Sequence, residues 1–380
     1  MSPAARAGDG VAAIDTPALV VDLDAMERNL ARMADFAREH RVRLRPHAKM
    51  HKSAELARLQ MRHGAVGVCV QKTSEAEALA AGGVTDIYIS NEVIAPAKLA
   101  RVAALAQRLS GDGGRLAIAV DSEQGVAALA QAMHAAHGAS IDVFIDIDVG
   151  HGRCGVPPGE PALALARAIA PHRALRLAGL HAYHGAAQHQ REPAERQATL
   201  ARSAQKVRET RDLLVRHGFG PLLVTGAGTG TYALETASGL WGELQAGSYL
   251  FMDADYAANR HAADAPPFEH ALFVKAQVVS RQGERAVCDA GHKSHAIDSG
   301  LPTVWAPAGL LFANGGDEHG VLRAADPEAA LPAIGDTVWL IPGHCDPTVN
   351  LHDWLVGVRG GLQHGFVERL IRVDARGALT

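Results

Sequence analysis

Short apolar runs alternate with longer amphipathic segments from residue 42 to residue 250. The runs are rich in Val and Ile and mostly lack a polar face, which is typical of β-strands that are covered on both sides. They are Val42–His47, Ala65–Gln71, Asp86–Asn91, Leu116–Asp121, Ile141–Asp148, Leu177–His184, Leu222–Gly226 and Glu243–Leu250. The pattern therefore predicts eight buried strands.

Helical patterns lie before and between these runs. Several begin at Ser or Thr and end at Gly, the usual signals for the two ends of a helix. The predicted helices are Asp24–His40, Ser53–Gly64, Ser74–Gly83, Ala95–Leu109, Ser122–His137 and Pro193–Gly218. Strands that alternate with helices imply a parallel sheet, and eight such units favour an α/β fold with a closed (β/α)8 TIM barrel over an open, doubly wound sheet.

The pattern changes after Asp253, where helical periodicity ends and short strands separated by Pro and Gly follow. The predicted strands are Ala271–Val279, Arg285–Asp289, Thr337–Ile341, Trp354–Arg359 and Phe366–Val373. A chain of 380 residues is also longer than most chains that fold around a single hydrophobic core, and chains of this length usually divide into domains. We therefore predict a barrel domain over residues 24–252 and an all-β domain over residues 1–23 and 253–380, with Pro17–Leu23 as a strand outside the barrel.

Composition and charge exclude several classes of protein. The net charge is −4 with both signs interspersed, so no basic surface for nucleic acid is predicted. No uncharged apolar stretch reaches the roughly 18 residues of a membrane helix, and the first ten residues lack the apolar core of a signal peptide. The four cysteines form no CxxC pair, so we expect no disulfides. These features predict a soluble cytoplasmic protein with neither a nucleic-acid nor a membrane partner.

The predicted strand ends are unusually polar, and barrel active sites lie at the C-terminal ends of the strands. If the first strand stays extended beyond its apolar part, its two-residue period places His47, Lys49 and His51 on one face. Later strand ends carry Gln71, Arg153, Tyr183 and His184. A lysine at a strand end is more often a solvent-exposed residue that ends the strand than a catalytic group. The interpretation of Lys49 as catalytic therefore depends on these polar neighbours.

A glycine-rich turn, residues 225–230, follows the seventh predicted strand, and Gly247 and Ser248 follow within the eighth. Barrels build phosphate sites at this place, because backbone N–H groups approach an anion only where side chains are small. One such turn by itself often serves only to reverse the chain. Together with Lys49 and Tyr183 at the same predicted barrel mouth, it indicates a phosphorylated aldehyde cofactor held as a Schiff base.

A second polar cluster, residues 342–353, lies in the predicted β domain. On an extended segment His344 and Asp346 point to one side and can share a divalent cation, whereas Cys345 points away and is structural. The alternative is a turn that begins at Asp346-Pro347, with His344 merely hydrogen-bonded. The residues alone leave both interpretations open.

Several motifs taken together resemble one family. They are Arg45-Pro46-His47-Ala48-Lys49-Met50-His51-Lys52, Gly152-Arg153-Cys154-Gly155, Ala182-Tyr183-His184-Gly185, Gly228-Thr229-Gly230, Gln245-Ala246-Gly247-Ser248-Tyr249 and His344-Cys345-Asp346-Pro347-Thr348. From about Asp15 to about Arg372 the chain resembles the D-threonine aldolases, a family that includes the 3-hydroxy-D-aspartate aldolases and is related to the metal-dependent D-serine dehydratases. The resemblance implies the alanine-racemase-like fold.

The resemblance also implies site residues. Lys49 would carry pyridoxal 5'-phosphate as a Schiff base. The ring of the cofactor would be lined by Gln71, Arg153 and Tyr183, and its phosphate by Thr225, Gly228, Thr229, Gly247, Ser248 and Tyr249, with Tyr256 as a further contact. His344 and Asp346 would bind a divalent metal, Mn²⁺ first, with Zn²⁺, Co²⁺ or Mg²⁺ as alternatives.

The activity that the resemblance implies is retro-aldol cleavage of a D-3-hydroxy amino acid to glycine and an aldehyde. His51, His184 and His189 are the candidate bases for the 3-hydroxyl proton, and a homodimer is expected. One alternative is a dehydratase of the same family. The resemblance implies a His-x-Cys motif at the metal site of those enzymes, whereas this chain has His-x-Asp. The others are an amino-acid racemase and a non-catalytic cofactor-binding protein.

Overall fold

A computed structural model describes residues 3–135, 139–260 and 267–380. The predicted helix end at His137 and part of the predicted β domain, residues 1, 2 and 261–266, lie outside the described residues. Two compact units are found. The barrel unit comprises Ala34–Lys49, Ala57–Gly247 and Ala378–Thr380, and the sheet unit comprises Met1–Met33, Met50–Leu56 and Ser248–Gly377. Residues 24–33, 50–56 and 248–252, which we assigned to the barrel, thus fall in the sheet unit.

The described chain begins with strand β1 (Ala18–Asp22) and helix α1 (Leu23–Glu39). The strands that follow in the barrel unit are β2 (Arg43–Leu44), β3 (Val68–Val70), β4 (Asp86–Ile89), β5 (Arg115–Val120), β6 (Ile141–Asp146), β7 (Leu175–Ala182), β8 (Leu223–Gly226) and β9 (Glu243–Leu244). Among the described residues these eight strands form one parallel sheet in the order β2-β9-β8-β7-β6-β5-β4-β3.

Backbone hydrogen bonds join the two ends of this sheet. Val66 N donates to Leu44 O at 2.8 Å, and Cys69 N donates to Pro46 O at 2.9 Å. Buried side chains from four strands, among them Cys69, Tyr88 and Phe144, pack together inside the sheet. The prediction of a closed barrel rather than an open sheet is therefore confirmed.

Helices follow most strands of the barrel. They are α2 (Ala54–Arg62), α3 (Thr73–Ala81), α4 (Pro96–Gly111), α5 (Glu123–Ala135), α6 (Glu160–Ile169), α7 (Pro193–Arg216) and α8 (Tyr232–Ala237). The first and last barrel strands are only two residues long, because short 3-10 helices at Ala48–Met50 and Ser248–Leu250 replace their predicted extensions. No helix in the described ranges is long and apolar enough to cross a membrane.

The sheet unit is mostly antiparallel. Its further elements are α9 (Ala254–Ala257), β10 (Leu272–Gln282), β11 (Arg285–Cys288), β12 (Thr303–Ala306), β13 (Leu310–Asn314), β14 (Gly320–Ala324), β15 (Thr337–Ile341), α10 (Cys345–Val349), β16 (Trp354–Arg359) and β17 (Phe366–Arg372). The N-terminal strand β1 pairs with β10 and β16, as expected for a strand outside the barrel. Strands β12, β13 and β14 were not predicted; most of their residues are partly or fully exposed, so they lack the pattern of strands covered on both faces.

One sequence-based expectation concerned helices in this unit, and another concerned the cysteines of both units. The expectation that helices end after Asp253 is wrong, because the short helices α9 and α10 lie in the described part of the unit. The expectation that the cysteines form no disulfides is confirmed, because all four are described and each is free.

A buried ion network ties the first barrel strand to its neighbours. Glu243 is fully buried, and its carboxylate oxygens lie 3.1 Å from Arg45 Nε and 3.1 Å from Arg43 Nε. Arg45 Nη1 also reaches Asp86 Oδ1 at 2.5 Å. Beside it, a Cβ on Gly67 would lie 2.4 Å from the Asp86 carbonyl oxygen and 2.5 Å from Arg45 Nη1, so only glycine fits there. The strands meet at this seam because opposite charges are paired inside it.

Glu243→Gln should destabilise the barrel by about 3 kcal/mol or more, because Arg45 would keep its charge while losing a buried partner. The measurement is equilibrium unfolding in urea. The control is Arg176→Ala, which removes an exposed ion pair with Asp142 and should cost less than about 1 kcal/mol. Equal costs for the two variants would contradict a special role for the buried network.

Candidate active site

Lys49 lies at the C-terminal end of the first barrel strand, in the 3-10 helix Ala48–Met50. It is half-buried, and its backbone N–H donates to Nδ1 of His47 at 3.3 Å. Because this tight turn ends the extended backbone, the prediction that His47, Lys49 and His51 share one strand face is wrong. His47 and Lys49 belong to the barrel unit, whereas His51 belongs to the sheet unit.

Gln71 joins two further polar groups at neighbouring strand ends. Gln71 Nε2 lies 2.9 Å from His47 Nε2 and 3.2 Å from Ser90 Oγ. Ser90 Oγ lies in turn 3.2 Å from His47 Nε2. These hydrogen bonds hold the Gln71 amide in place. No sequence signal pointed to Ser90, whose contact with His47 joins residues 43 positions apart.

Arg153 and Tyr183 are brought together in the barrel unit. The guanidinium carbon of Arg153 lies 5.7 Å from the centre of the Tyr183 ring, within the range of a cation–π contact. The loop that carries Arg153 is held by Asp148 Oδ1, which accepts the N–H groups of Gly150 at 2.9 Å and Gly152 at 3.0 Å. The structure therefore places the Arg153 guanidinium near the Tyr183 ring at adjacent strand ends, and their contact with a cofactor stays a prediction.

An acidic pair beside Arg153 was missed by the sequence analysis. Burial and the neighbouring Glu92 carboxyl, opposed by Arg153, raise the pKa of Asp146 to about 9. Asp146 is therefore protonated at neutral pH. Ligand-type atoms of Glu92, Asp121 and Cys154 also lie within 4.8 Å of one another. These residues lie in separate loops at the strand ends, so no local sequence motif predicts that they come together.

The predicted histidines of the barrel unit differ in exposure. His184 is buried beside His151, with 5.9 Å between ring centres. Burial and the neighbouring His151 lower the pKa of His184, so its ring is neutral at pH 7. His184 Nδ1 accepts the N–H of Ala187 at 3.2 Å, and the neutral ring therefore carries its hydrogen on Nε2. His189 is exposed at the end of the 3-10 helix Ala186–His189.

The loop after β8 is closely packed at Gly228. A Cβ on Gly228 would lie only 2.4 Å from Oε1 of Gln188. That Gln188 side chain is buried and cannot yield easily, because it accepts the Gly230 N–H at 3.0 Å and donates to Thr231 Oγ1 at 2.7 Å. Thr229 is buried between these residues. The packing of Gln188 therefore requires glycine at 228, and the binding of a phosphate by this loop stays a prediction.

Thr225 and Gly247 flank this loop in different ways. The Thr225 hydroxyl donates to Glu243 Oε1 at 2.9 Å and accepts from Gln245 Nε2 at 2.8 Å, which places it in the polar interior of the barrel. Its contact with a phosphate stays a prediction. A Cβ on Gly247 would lie 2.6 Å from the His47 carbonyl oxygen. Gly247 thus lets the end of β9 pack directly on the segment that carries Lys49.

Four predicted site residues of the cofactor and base sets fall in the sheet unit. Ser248 and Tyr249 are buried in the 3-10 helix that follows β9. The Tyr256 backbone N–H donates to Asp253 Oδ1 at 2.9 Å at the start of α9. His51 is fully buried, and its Nδ1 accepts the Ser53 N–H at 3.0 Å.

His344 and Asp346 lie together at the start of α10. His344 is extended, but Asp346 is already in the first helical turn, so the prediction that both lie on an extended segment is wrong. Their side chains nevertheless converge, with His344 Nε2 4.0 Å from Asp346 Oδ1. Cys345 points elsewhere, as predicted: it is fully buried, and its Sγ donates to the Met252 carbonyl oxygen at 3.3 Å.

Negative charge surrounds His344. Burial lowers the pKa of His344, but nearby Asp346, Asp298 and Asp253 outweigh burial and raise it. Two atoms that bind one divalent ion through bonds of roughly 2.1 Å at tetrahedral or octahedral angles lie about 3.0 to 3.4 Å apart, so His344 Nε2 and Asp346 Oδ1, at 4.0 Å, would hold an ion after a small approach of the two side chains. One imidazole nitrogen and one carboxylate oxygen in a negative field fit a divalent cation.

Comparisons with known proteins agree with both units. The profile of the family described as "Alanine racemase, N-terminal domain" matches residues 21–255, and that of "Putative serine dehydratase domain" matches residues 271–358. A 3-hydroxy-D-aspartate aldolase of Paracoccus denitrificans (strain Pd 1222) is 44% identical over 96% of this chain and 92% of its own. A D-threonine aldolase of an Arthrobacter species is 44% identical over 99% of this chain and 97% of its own.

A solved structure extends this agreement to three dimensions. The D-threonine aldolase of Filomicrobium marinum superposes with a TM-score of 0.95 at 48% identity, over 99% of this chain and 100% of its own. A more distant relative, the D-threo-3-hydroxyaspartate dehydratase of Delftia sp. (strain HT23), is 31% identical over 90% of this chain and 93% of its own. The chain therefore belongs to the family of the D-threonine aldolases and 3-hydroxy-D-aspartate aldolases, and its first domain is of the alanine racemase N-terminal type.

Proposed function

We propose that this protein is a pyridoxal-phosphate- and divalent-metal-dependent aldolase. It cleaves the Cα–Cβ bond of a D-3-hydroxy amino acid such as D-threonine and releases glycine and an aldehyde. The observation that carries the proposal is the His344–Asp346 pair, with 4.0 Å between Nε2 and Oδ1, in a chain that is 44% identical to two named aldolases. The substrate class covers D-threonine, 3-hydroxy-D-aspartate and phenylserine.

The barrel unit would hold the cofactor. Lys49 would offer the amine for its aldehyde, and the backbone N–H groups of the small-residue loop at Gly228 and Thr229 would bind its phosphate. Gln71, Arg153 and Tyr183 would contact its ring, and the remaining predicted contacts are Thr225, Gly247, Ser248, Tyr249 and Tyr256. When bound, pyridoxal phosphate would supply an electron sink for the pair released from the broken Cα–Cβ bond.

The sheet unit would hold the metal at His344 and Asp346. When bound, a divalent cation there would supply a Lewis acid that lowers the pKa of a coordinated hydroxyl. The carboxylate of Asp346 is a hard oxygen donor, which suits Mn²⁺, our first choice among Mn²⁺, Zn²⁺, Co²⁺ and Mg²⁺. Burial raises the pKa of the Cys345 thiol well above its usual range, so Cys345 stays protonated and is no competing ligand.

The candidate bases differ in how they could take the proton of the 3-hydroxyl. His51 and His184 each accept a backbone N–H at Nδ1, so each neutral ring presents a donor at Nε2. A base role for His184 therefore requires its contact with Ala187 to open. His189 is exposed and can exchange protons with solvent. We assign the base to the segment that contains His184 and His189 ahead of the fully buried His51.

A dehydratase of the same family is the second candidate. The match of residues 271–358 to the serine dehydratase profile favours it, and so does the Delftia relative. A cation that binds the substrate hydroxyl could assist its departure as water as well as its deprotonation. This chain has the motif His-x-Asp at its proposed metal site, whereas the related dehydratases are expected to have His-x-Cys. Asp346 at the last position of the motif therefore favours the aldolase.

Loss of the metal should abolish cleavage. With pyridoxal phosphate and Mn²⁺, we expect the purified protein to convert D-threonine to glycine and acetaldehyde. A chelator or Asp346→Ala should lower the rate by roughly 100-fold or more, because a Lewis acid contributes several kcal/mol to the transition state. The matched control is Asp326→Ala, which removes a carboxylate from an exposed turn of the same unit.

The products distinguish the competing functions in the same assay. Ammonia and 2-oxobutanoate would move the assignment to the dehydratase. Epimerisation of D-threonine that is insensitive to the chelator would indicate a racemase and contradict the metal proposal. Full cofactor loading without any turnover would indicate a cofactor-binding protein.

Lys49→Ala should remove the visible absorption of lysine-bound pyridoxal phosphate and abolish turnover, because no other group is proposed to hold the aldehyde. Absorption spectra of the purified variant, with and without added cofactor, check this. The control is Lys72→Ala, which removes the lysine at the end of the next strand and should leave the spectrum intact. The reverse pattern would make Lys72 the cofactor lysine.

Gly228→Ala should weaken the affinity for pyridoxal phosphate by roughly tenfold or more, because the new methyl group would displace either the loop or the buried Gln188 amide. The measurement is a cofactor titration of the apoprotein. Gly111→Ala serves as the control, because nothing lies within 4 Å of its added Cβ. Unchanged affinity in Gly228→Ala would show that the phosphate does not use this loop.

A further inference from the structure

An exposed carboxylate holds the second ring nitrogen of His344. His344 Nδ1 lies 2.7 Å from Asp298 Oδ2, while His344 Nε2 faces Asp346. At 2.7 Å the contact is a charge-assisted hydrogen bond, with Nδ1–H as the donor. When Nδ1 carries this hydrogen, the lone pair of the neutral ring lies on Nε2, the atom that must bind a cation together with Asp346.

We propose that Asp298 is the residue that positions His344 for metal binding. It fixes the ring tautomer and the ring orientation, so that Nε2 and not Nδ1 becomes the ligand atom. Histidines that bind metals commonly donate their other N–H to a carboxylate, and this partner raises the basicity of the ligating nitrogen. The inference rests on the proposed function in that His344 and Asp346 are taken as the metal pair.

The backbone of His344 is fixed by contacts that do not involve Asp298. Asp253 Oδ2 accepts the Cys345 N–H at 3.0 Å, and Thr348 Oγ1 donates to the His344 carbonyl oxygen at 2.7 Å. Rotation of the His344 ring is the freedom that these contacts leave. Asp298 restrains that rotation, and Ser299 supports it by donating from Oγ to Asp298 Oδ2 at 3.1 Å.

Exposure makes the proposal testable without loss of the fold. The Asp298 side chain is 51% exposed, and exposed ion pairs contribute little to folding stability. Its removal should therefore leave the protein folded and act on the metal site. The Asp298 contact joins residues that are 46 positions apart, so it is invisible in the His344-x-Asp346 motif.

The test is Mn²⁺ binding by calorimetry to the cofactor-loaded, metal-stripped protein. We expect Asp298→Ala to weaken Mn²⁺ binding by roughly 10- to 100-fold. Asp298→Asn should lose less Mn²⁺ affinity than Asp298→Ala, because its amide oxygen still accepts the Nδ1 hydrogen of His344. In the Co²⁺-loaded protein, Asp298→Ala should also shift the visible absorption bands, which report ligand geometry.

The matched control is Asp317→Asn. Asp317 forms another exposed Asp–His pair in the same unit, with Oδ1 2.9 Å from His292 Nε2. Its variant should bind Mn²⁺ like the wild type. Equal weakening in the Asp317 and Asp298 variants would overturn the proposal in favour of a general charge effect.

The remaining outcomes separate this inference from the proposed function. Wild-type affinity and an unchanged Co²⁺ spectrum in both Asp298 variants would overturn the role of Asp298 while the metal site stands. A wild type that binds no Mn²⁺, or an Asp346→Ala variant that binds it normally, would overturn the metal site and this inference together.

Discussion

The ion network of Arg45, Glu243 and Asp86 is the constraint on which the barrel site depends. Glu243 is buried at the start of the last barrel strand, and a buried carboxylate is tolerated only when it is paired. Its partner Arg45 immediately follows the first strand, so their ion pair holds the two strand ends at one seam. Lys49 is four residues beyond Arg45, and Gly247 is four residues beyond Glu243. The proposed cofactor residues are thereby held at the same end of the barrel.

The two units position their site residues by different electrostatic means. In the barrel unit, hydrogen bonds among His47, Gln71 and Ser90 orient the polar groups near Lys49. In the sheet unit, three carboxylates surround His344 and favour positive charge there. This negative field suits the divalent metal that we propose for the sheet unit.

Residue 346 relates this protein to both chemistries of its family. In the proposed function, a metal at residue 346 would assist either cleavage of the Cα–Cβ bond or loss of the 3-hydroxyl, and the two reactions differ in which bond breaks. An oxygen ligand at 346 would leave that metal harder than a thiolate would. The neighbouring Cys345 thiol is buried and packed on the Met252 carbonyl group, so it does not offer a sulfur ligand beside Asp346.

The sequence by itself determined the number and order of the eight barrel strands, because strands covered on both faces are mostly apolar and that pattern is local. It also placed Lys49 and the Gly228 loop after the first and seventh barrel strands, although it overestimated the length of the first and last strands. The tertiary structure alone decided the contacts between distant residues, such as Arg45 with Glu243 and His344 with Asp298, which lie 198 and 46 positions apart. It also decided the tight turn at Lys49 and the helical turn at Asp346. Local periodicity describes which face of an element is buried, but it carries no information about which side chain from elsewhere in the chain will meet it there.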